Sequence, residues 1–247
     1  RGLCVLEMFA AMCSRRKTHP ILLLQSPETA PKWLSPLEAQ NLAVGESEFT
    51  CCERNHENNM SCSRDAARDI LMCLVDKKVS YFYKQDATVV IGRLWFTQKN
   101  WFLRSLNTEG LKLQVCKDIE GLKKALVWDD NHDGDWFDRG GISLLFYAIG
   151  WNNAFLVHIL LDSVKSITDK TERYRRLLSV VPKSGFPQVG ITSRMNSLCV
   201  AMFMASPEIV EMLLQSGIDP YDCADGKGID PFMFACVTAK IDNLRCW

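Results

Sequence analysis

Apolar residues open the chain at helical spacing: Leu3, Leu6, Phe9 and Ala10 predict an amphipathic helix. The positive run Ser14-Arg15-Arg16-Lys17 suits its C-terminal end. The pattern then changes. Pro20-Ile21-Leu22-Leu23-Leu24 is a short unbroken apolar run, which predicts a strand buried on both faces, and a Pro-rich loop follows from Ser26 to Ser35. Further on, Asp65 predicts the N-cap of a helix over Ala66–Val75, with Ile70, Leu71, Leu74 and Val75 inward. Val79–Tyr83 reads as a strand or an extended link, and Val89–Leu106 concentrates Trp95, Phe96, Trp101 and Phe102. Asp118–Val127 predicts another helix carrying Ile119, Leu122 and Leu126.

The last third repeats itself. Gly141-Ile-Ser-Leu-Leu-Phe-Tyr-Ala148 and Gly228-Ile-Asp-Pro-Phe-Met-Phe-Ala235 share a Gly, an apolar residue four positions on and an Ala three after that. Ser197-Leu198-Cys199-Val200-Ala201 gives the same Leu-to-Ala step. The second halves match too: Leu156-Val157 leads to Leu160-Leu161 as Ile209-Val210 leads to Leu213-Leu214.

These residues resemble the ankyrin repeat, a helix pair of about 33 residues whose outline is a turn Gly, a Thr-Pro-Leu-His opening, a small Ala and a paired-Leu second helix. Gly217-Ile218-Asp219-Pro220 stands where that family has its Gly-Ala-Asp turn, and Asp230-Pro231-Phe232 stands in for Thr-Pro-Leu. The resemblance implies helix pairs that bury their apolar faces only against neighbouring units. Phe146, Cys199 or Met233 replaces the usual His. Ala148 and Ala201 are 53 residues apart, whereas Ala201 and Ala235 are 34 apart. About 20 extra residues therefore interrupt the array within 162–189, with Thr171–Val180 predicted as added helix.

Composition narrows the function. The 247 residues carry 29 Lys plus Arg against 29 Asp plus Glu, and 47% are hydrophobic. No run of like charge exceeds Arg15-Arg16-Lys17, so nucleic acid is a poor partner. Ile142–Leu161 contains Asn152, Asn153 and His158 and reads as a helix pair, not a membrane span. Eleven scattered cysteines suit free thiols in a reducing, cytoplasmic setting. The start at Arg1 and the stop inside a third repeat read as an internal piece of a longer protein.

Three constellations raise chemistry. Arg1-Gly-Leu-Cys4-Val-Leu-Glu7, followed by the apolar run at His19–Leu24, resembles the Trp-Cys-x-x-Glu region of Toll/interleukin-receptor (TIR) and TIR-like domains, with Leu3 in place of Trp. In NAD-cleaving members that Glu is the catalytic acid, so the resemblance makes Glu7 the one catalytic candidate. Asp129-Asp-Asn131-His-Asp133-Gly134-Asp135 is similar to the first half of an EF-hand loop, but Gly140 stands where the bidentate Glu is required. Cys51, Cys52, His56 and Cys62 offer zinc-type donors, yet adjacent cysteines seldom share one tetrahedral ion, and a polar loop is the plainer reading. His158 reads as a packing residue or a partner of the backbone. The sequence therefore assigns no metal and no cofactor.

Together these readings predict a mainly α chain with three parts. Residues 1–60 form an α/β, TIR-like remnant, 61–138 a helical connector, and 139–247 a degenerate ankyrin array. The expected function is protein–protein interaction as a scaffold or adaptor, with Arg139, Trp151, Asn152, Asn153, Tyr221, Asp222 and Lys227 exposed at repeat turns as partner contacts. The competing expectation is the regulatory or targeting part of a TIR-like NAD-cleaving or signalling protein.

Overall fold

The structure, a computed structural model, describes residues 2–14, 21–23, 27–34, 43–56, 61–109, 111, 116–128 and 136–246. Among these residues it is mainly helical, with one two-stranded sheet. Helix α1 (Gly2–Cys13) buries Leu6, Phe9 and Cys13, and Phe9 packs edge-on against Trp95 and Phe102. Strands β1 (Ile21–Leu23) and β2 (Lys32–Leu34) pair antiparallel, Leu22 opposite Trp33. The strand expected to be buried on both faces is instead half of a hairpin, with Leu22 43% and Trp33 61% exposed. A short α2 (Thr50–Glu53) precedes α3 (Ser63–Tyr83).

Helix α3 runs well beyond the stretch that Asp65 and Val75 delimit. Ala67, Leu71, Val75 and Val79 form an unbroken i, i+4 row, all buried, so a helical period carries through the β-branched and aromatic Val79–Tyr83. That row overrides the strand propensity of the segment. The cap is Cys62, not Asp65, and Ile70 points outward at 50% exposure. The aromatic-rich stretch folds into α4 (Val89–Thr97) and α5 (Lys99–Phe102), with Trp95, Trp101 and Phe102 buried. Helix α6 (Ile119–Ala125) starts where Asp118 accepts a bond from Gly121 N at 2.6 Å.

Three helix pairs complete the chain: α7 (Leu144–Gly150) with α8 (Ala154–Lys165), α10 (Ser197–Met204) with α11 (Pro207–Gln215), and α12 (Pro231–Val237) with α13 (Ile241–Arg245). The first helices, α7, α10 and α12, pack in one row that α4 extends, and the second helices pack in another. Between the first and second pairs α9 (Lys170–Leu178), capped by Asp169, fills the expected insertion and packs on α8 and α10. Each pair opens alike. Ser143, Asn196 and Asp230 cap α7, α10 and α12 by accepting the backbone N–H three residues on. Two residues before each cap the backbone is left-handed, at Gly141 (φ 74°), Arg194 (φ 55°) and Gly228 (φ 78°). Ala148, Ala201 and Ala235 are fully buried, which lets the first helices approach closely.

Burial also sets an alkaline limit. Cys199 is wholly buried, and burial pushes its thiol well above the ordinary value of 9.0. The folded state therefore holds the proton that the unfolded state releases, so this stabilisation is complete below about pH 9 and is lost as pH rises. The stability advantage of the parent over Cys199→Ala is expected to shrink by roughly 2–3 kcal/mol between pH 9 and 11. Urea denaturation of both proteins across that range checks it, and a pH-independent difference contradicts it.

Candidate functional site

The turns of the helix-pair array are built by two aspartates that the repeat pattern contains but composition does not reveal. Asp138 Oδ1 accepts from Gly140 N (2.8 Å) and Ile142 N (3.0 Å), and Asp225 Oδ1 accepts from Lys227 N (2.7 Å) and Ile229 N (2.9 Å). In both turns the Asp N–H bonds the residue four on, and the Gly N–H returns to the Asp carbonyl. The signal was legible as Asp-x-x-Gly-x-Ser/Asp at 138–143 and 225–230.

Their second oxygens differ. Asp138 Oδ2 accepts from Arg93 Nη1 (3.0 Å) and Tyr147 OH (2.7 Å), with both ion-pair side chains excluded from solvent. Arg93 Nε donates to Leu126 O at 2.8 Å, Nη2 donates to Val127 O, and the guanidinium lies over Trp128. This knot joins α4, the end of α6 and the first helix pair. Burial, then the Asp138 carboxylate, pushes the Tyr147 hydroxyl well above its usual range, so it remains a donor. In the third unit Phe234 stands where Tyr147 stands in the first, and among the described residues Asp225 Oδ2 is buried without a hydrogen-bond partner.

The residues expected as partner contacts separate into two groups. Tyr221 (83% exposed) and Lys227 sit at a turn surface, and Asn152 is exposed while its Oδ1 accepts from Ser206 N at 2.7 Å. Trp151 is the correction: it is 6% exposed and packs edge-on against Phe96, because helix α7 sets its ring against α4. Asn153 caps α8 and donates to Cys116 O at 3.1 Å, and Arg139 pairs with Asp86 at 2.5 Å. The backbone of Asp222 lies in the short turn Pro220–Asp222. Glu7 is exposed on α1, and the run Asp129–Asp135 lies outside the described residues.

The third pair adds exposed apolar side chains that the sequence reading did not single out: Phe232, Met233, Val237 and Ile241 are 44–60% exposed. Counted from the caps, Phe232, Met233 and Val237 match Leu198, Cys199 and Phe203 of the second pair, all buried. A cleft of about 300 Å³ lies where the helix pairs meet the connector, lined by Arg104, Asn152, Met204 and Lys240 among others. There Lys240 Nζ donates to Met204 O and Ala205 O, and burial, with Arg104 nearby, lowers it to about 8.

One cluster of chemical groups lies away from the array. Cys51 and Cys52 occupy the single turn of α2, and Asn55 and His56 turn the chain back in two consecutive left-handed conformations. Cys62 then caps α3. The sulfurs of Cys51 and Cys52 are 3.9 Å apart, Cys52 and Cys62 are 3.8 Å apart, and His56 Nε2 is 3.7 Å from Cys52 Sγ. All four donor atoms lie within 4.8 Å of one another. Ser63 N donates to Cys51 Sγ at 3.3 Å, and hydrogen bonds from Ser63 lower that thiol to about 6. Desolvation and then the neighbouring thiols push Cys52 up to about 11.

No described helix is long and apolar enough to cross a membrane. Compared with protein-family models, curated proteins and solved structures, the chain gives no match in any of the three.

Proposed function

We propose that this chain is a protein–protein interaction module, a scaffold or adaptor built on a degenerate ankyrin-type array and working in the cytoplasm. Three capped helix pairs with a buried Ala on each first helix support the repeat reading. The observation that carries the binding role is the 83% exposure of Tyr221 at the turn Pro220–Asp222. Met233 on α12 is 50% exposed, whereas Cys199, at the matching position of the second pair, is wholly buried. Tyr221 adds an aromatic side chain of the type enriched in protein interfaces, held on a backbone that Asp219 fixes through Tyr221 N.

Photo-crosslinking tests this. A benzophenone amino acid placed at Met233 or Tyr221 of the full protein in its native cell is expected to give discrete adducts with a second protein. The same group at Glu208, an exposed charged position on α11, is expected to give none. Equal labelling at all three positions, or none at Met233 and Tyr221, overturns the proposal.

A further inference from the structure

We propose that Cys51, Cys52, His56 and Cys62 form a structural Zn²⁺ site of three thiolates and one imidazole. The geometry is the first reason. Zinc bonds thiolates at about 2.3 Å and imidazole at about 2.0–2.1 Å, so tetrahedral corners lie roughly 3.5–3.8 Å apart. The observed S···S contacts of 3.9 and 3.8 Å and the S···N contact of 3.7 Å come within about 0.2 Å of those edges, and every donor pair falls within 4.8 Å. A disulfide would require a sulfur separation of about 2.05 Å and would leave the third thiol and the imidazole without a role.

The backbone is the second reason. Two consecutive left-handed residues, Asn55 (φ 48°) and His56 (φ 53°), bring the imidazole back over Cys52. Conformations of this kind persist where the surroundings over-determine them. Adjacent cysteines reach one point because a single helical turn carries both, while Cys62 approaches from the start of α3. Charge is the third reason. The N-terminus of the 21-residue α3 favours the net negative charge that a zinc ion with three thiolates carries.

Four protein donors close the coordination sphere, so the ion is structural and not catalytic. It fastens α2 to the start of α3. The segment it fastens holds Phe49 against Gly2 of α1, where Gly2 N donates to Glu48 O at 2.9 Å, and sets Gly45 against the backbone at 104–106.

The test uses the full chain purified under reducing conditions without chelator. About one equivalent of Zn²⁺ per chain is expected, and Co²⁺ replacing it is expected to show thiolate-to-metal charge transfer and tetrahedral d–d bands. Cys52→Ser and Cys62→Ser are expected to weaken Co²⁺ binding beyond the roughly 10–100-fold that loss of an outer-shell partner brings. His56→Asn alters an exposed ligand and tests the site without disturbing the core, while Cys4→Ser and Cys236→Ser are expected to bind as the parent does. Chelation is expected to raise hydrogen exchange in residues 43–56 and leave residues 197–215 unchanged. Substoichiometric zinc, an octahedral cobalt spectrum, equal binding by the ligand and control variants, or a Cys52–Cys62 disulfide overturns the proposal.

Discussion

Arg93→Met is expected to destabilise the protein by roughly 3–5 kcal/mol, the usual cost of leaving one member of a buried ion pair without the other. Asp138 would keep its turn bonds and its bond from Tyr147 but would hold an uncompensated charge in a place that excludes water. The carbonyls of Leu126 and Val127 would lose their donors as well. The double variant Arg93→Met, Asp138→Asn is expected to be more stable than the single. Asparagine keeps an acceptor for Gly140 N and Ile142 N and carries no charge. Denaturant titrations of Arg93→Met, Asp138→Asn, the double variant and the parent give the coupling. A single-variant loss below about 1 kcal/mol, or strictly additive effects, would show that the pair does not join the connector to the array.

Phe203→Ala is expected to cost roughly 3–5 kcal/mol and to act mainly on the third helix pair. The Phe203 ring lies 5.8 Å from that of Trp101 in α5 and 6.2 Å from that of Phe234 in α12, so one side chain links the connector to the last unit. Its removal leaves a void between first helices that backbone-to-backbone packing cannot close. Hydrogen exchange is therefore expected to accelerate across residues 231–245 before the rest of the array. Uniform acceleration would mean that the array unfolds as one unit and that Phe203 holds no boundary.

The three helix pairs were legible because their signals are local. A cap, a left-handed residue two before it and a small residue on the first helix all lie within one short segment, and Gly141, Ser143 and Ala148 announce them together. Arg194 shows the limit of that reading: it takes the left-handed position without being glycine, so the second unit is visible only from its Leu-to-Ala step. An apolar run does not by itself show enclosure: Leu22 is 43% exposed on its strand, because burial depends on what packs against a strand. The span of α3 was underread because β-branched and aromatic residues at 79–83 suggest a strand, whereas the i, i+4 row spans a longer window. Trp151 was misplaced because register alone does not show that α4 lies beside α7. The thiols and imidazole at 51–62 were visible as residues. Their convergence was not, since it depends on left-handed backbone at Asn55 and His56 that neither identity announces.

The two aspartate turns show how one turn form can be assigned a separate task in each place it occurs without any change to its backbone. Holding the loop occupies only Oδ1 of Asp138 and of Asp225, which leaves each carboxylate one oxygen to be wired independently. In the first turn that oxygen is wired to a neighbour through Arg93 and Tyr147. In the other turn a phenylalanine replaces the tyrosine, and the same oxygen is buried without a hydrogen-bond partner among the described residues. Shape and connectivity are thus encoded by different atoms of one side chain, and each turn can change its connections while keeping its shape.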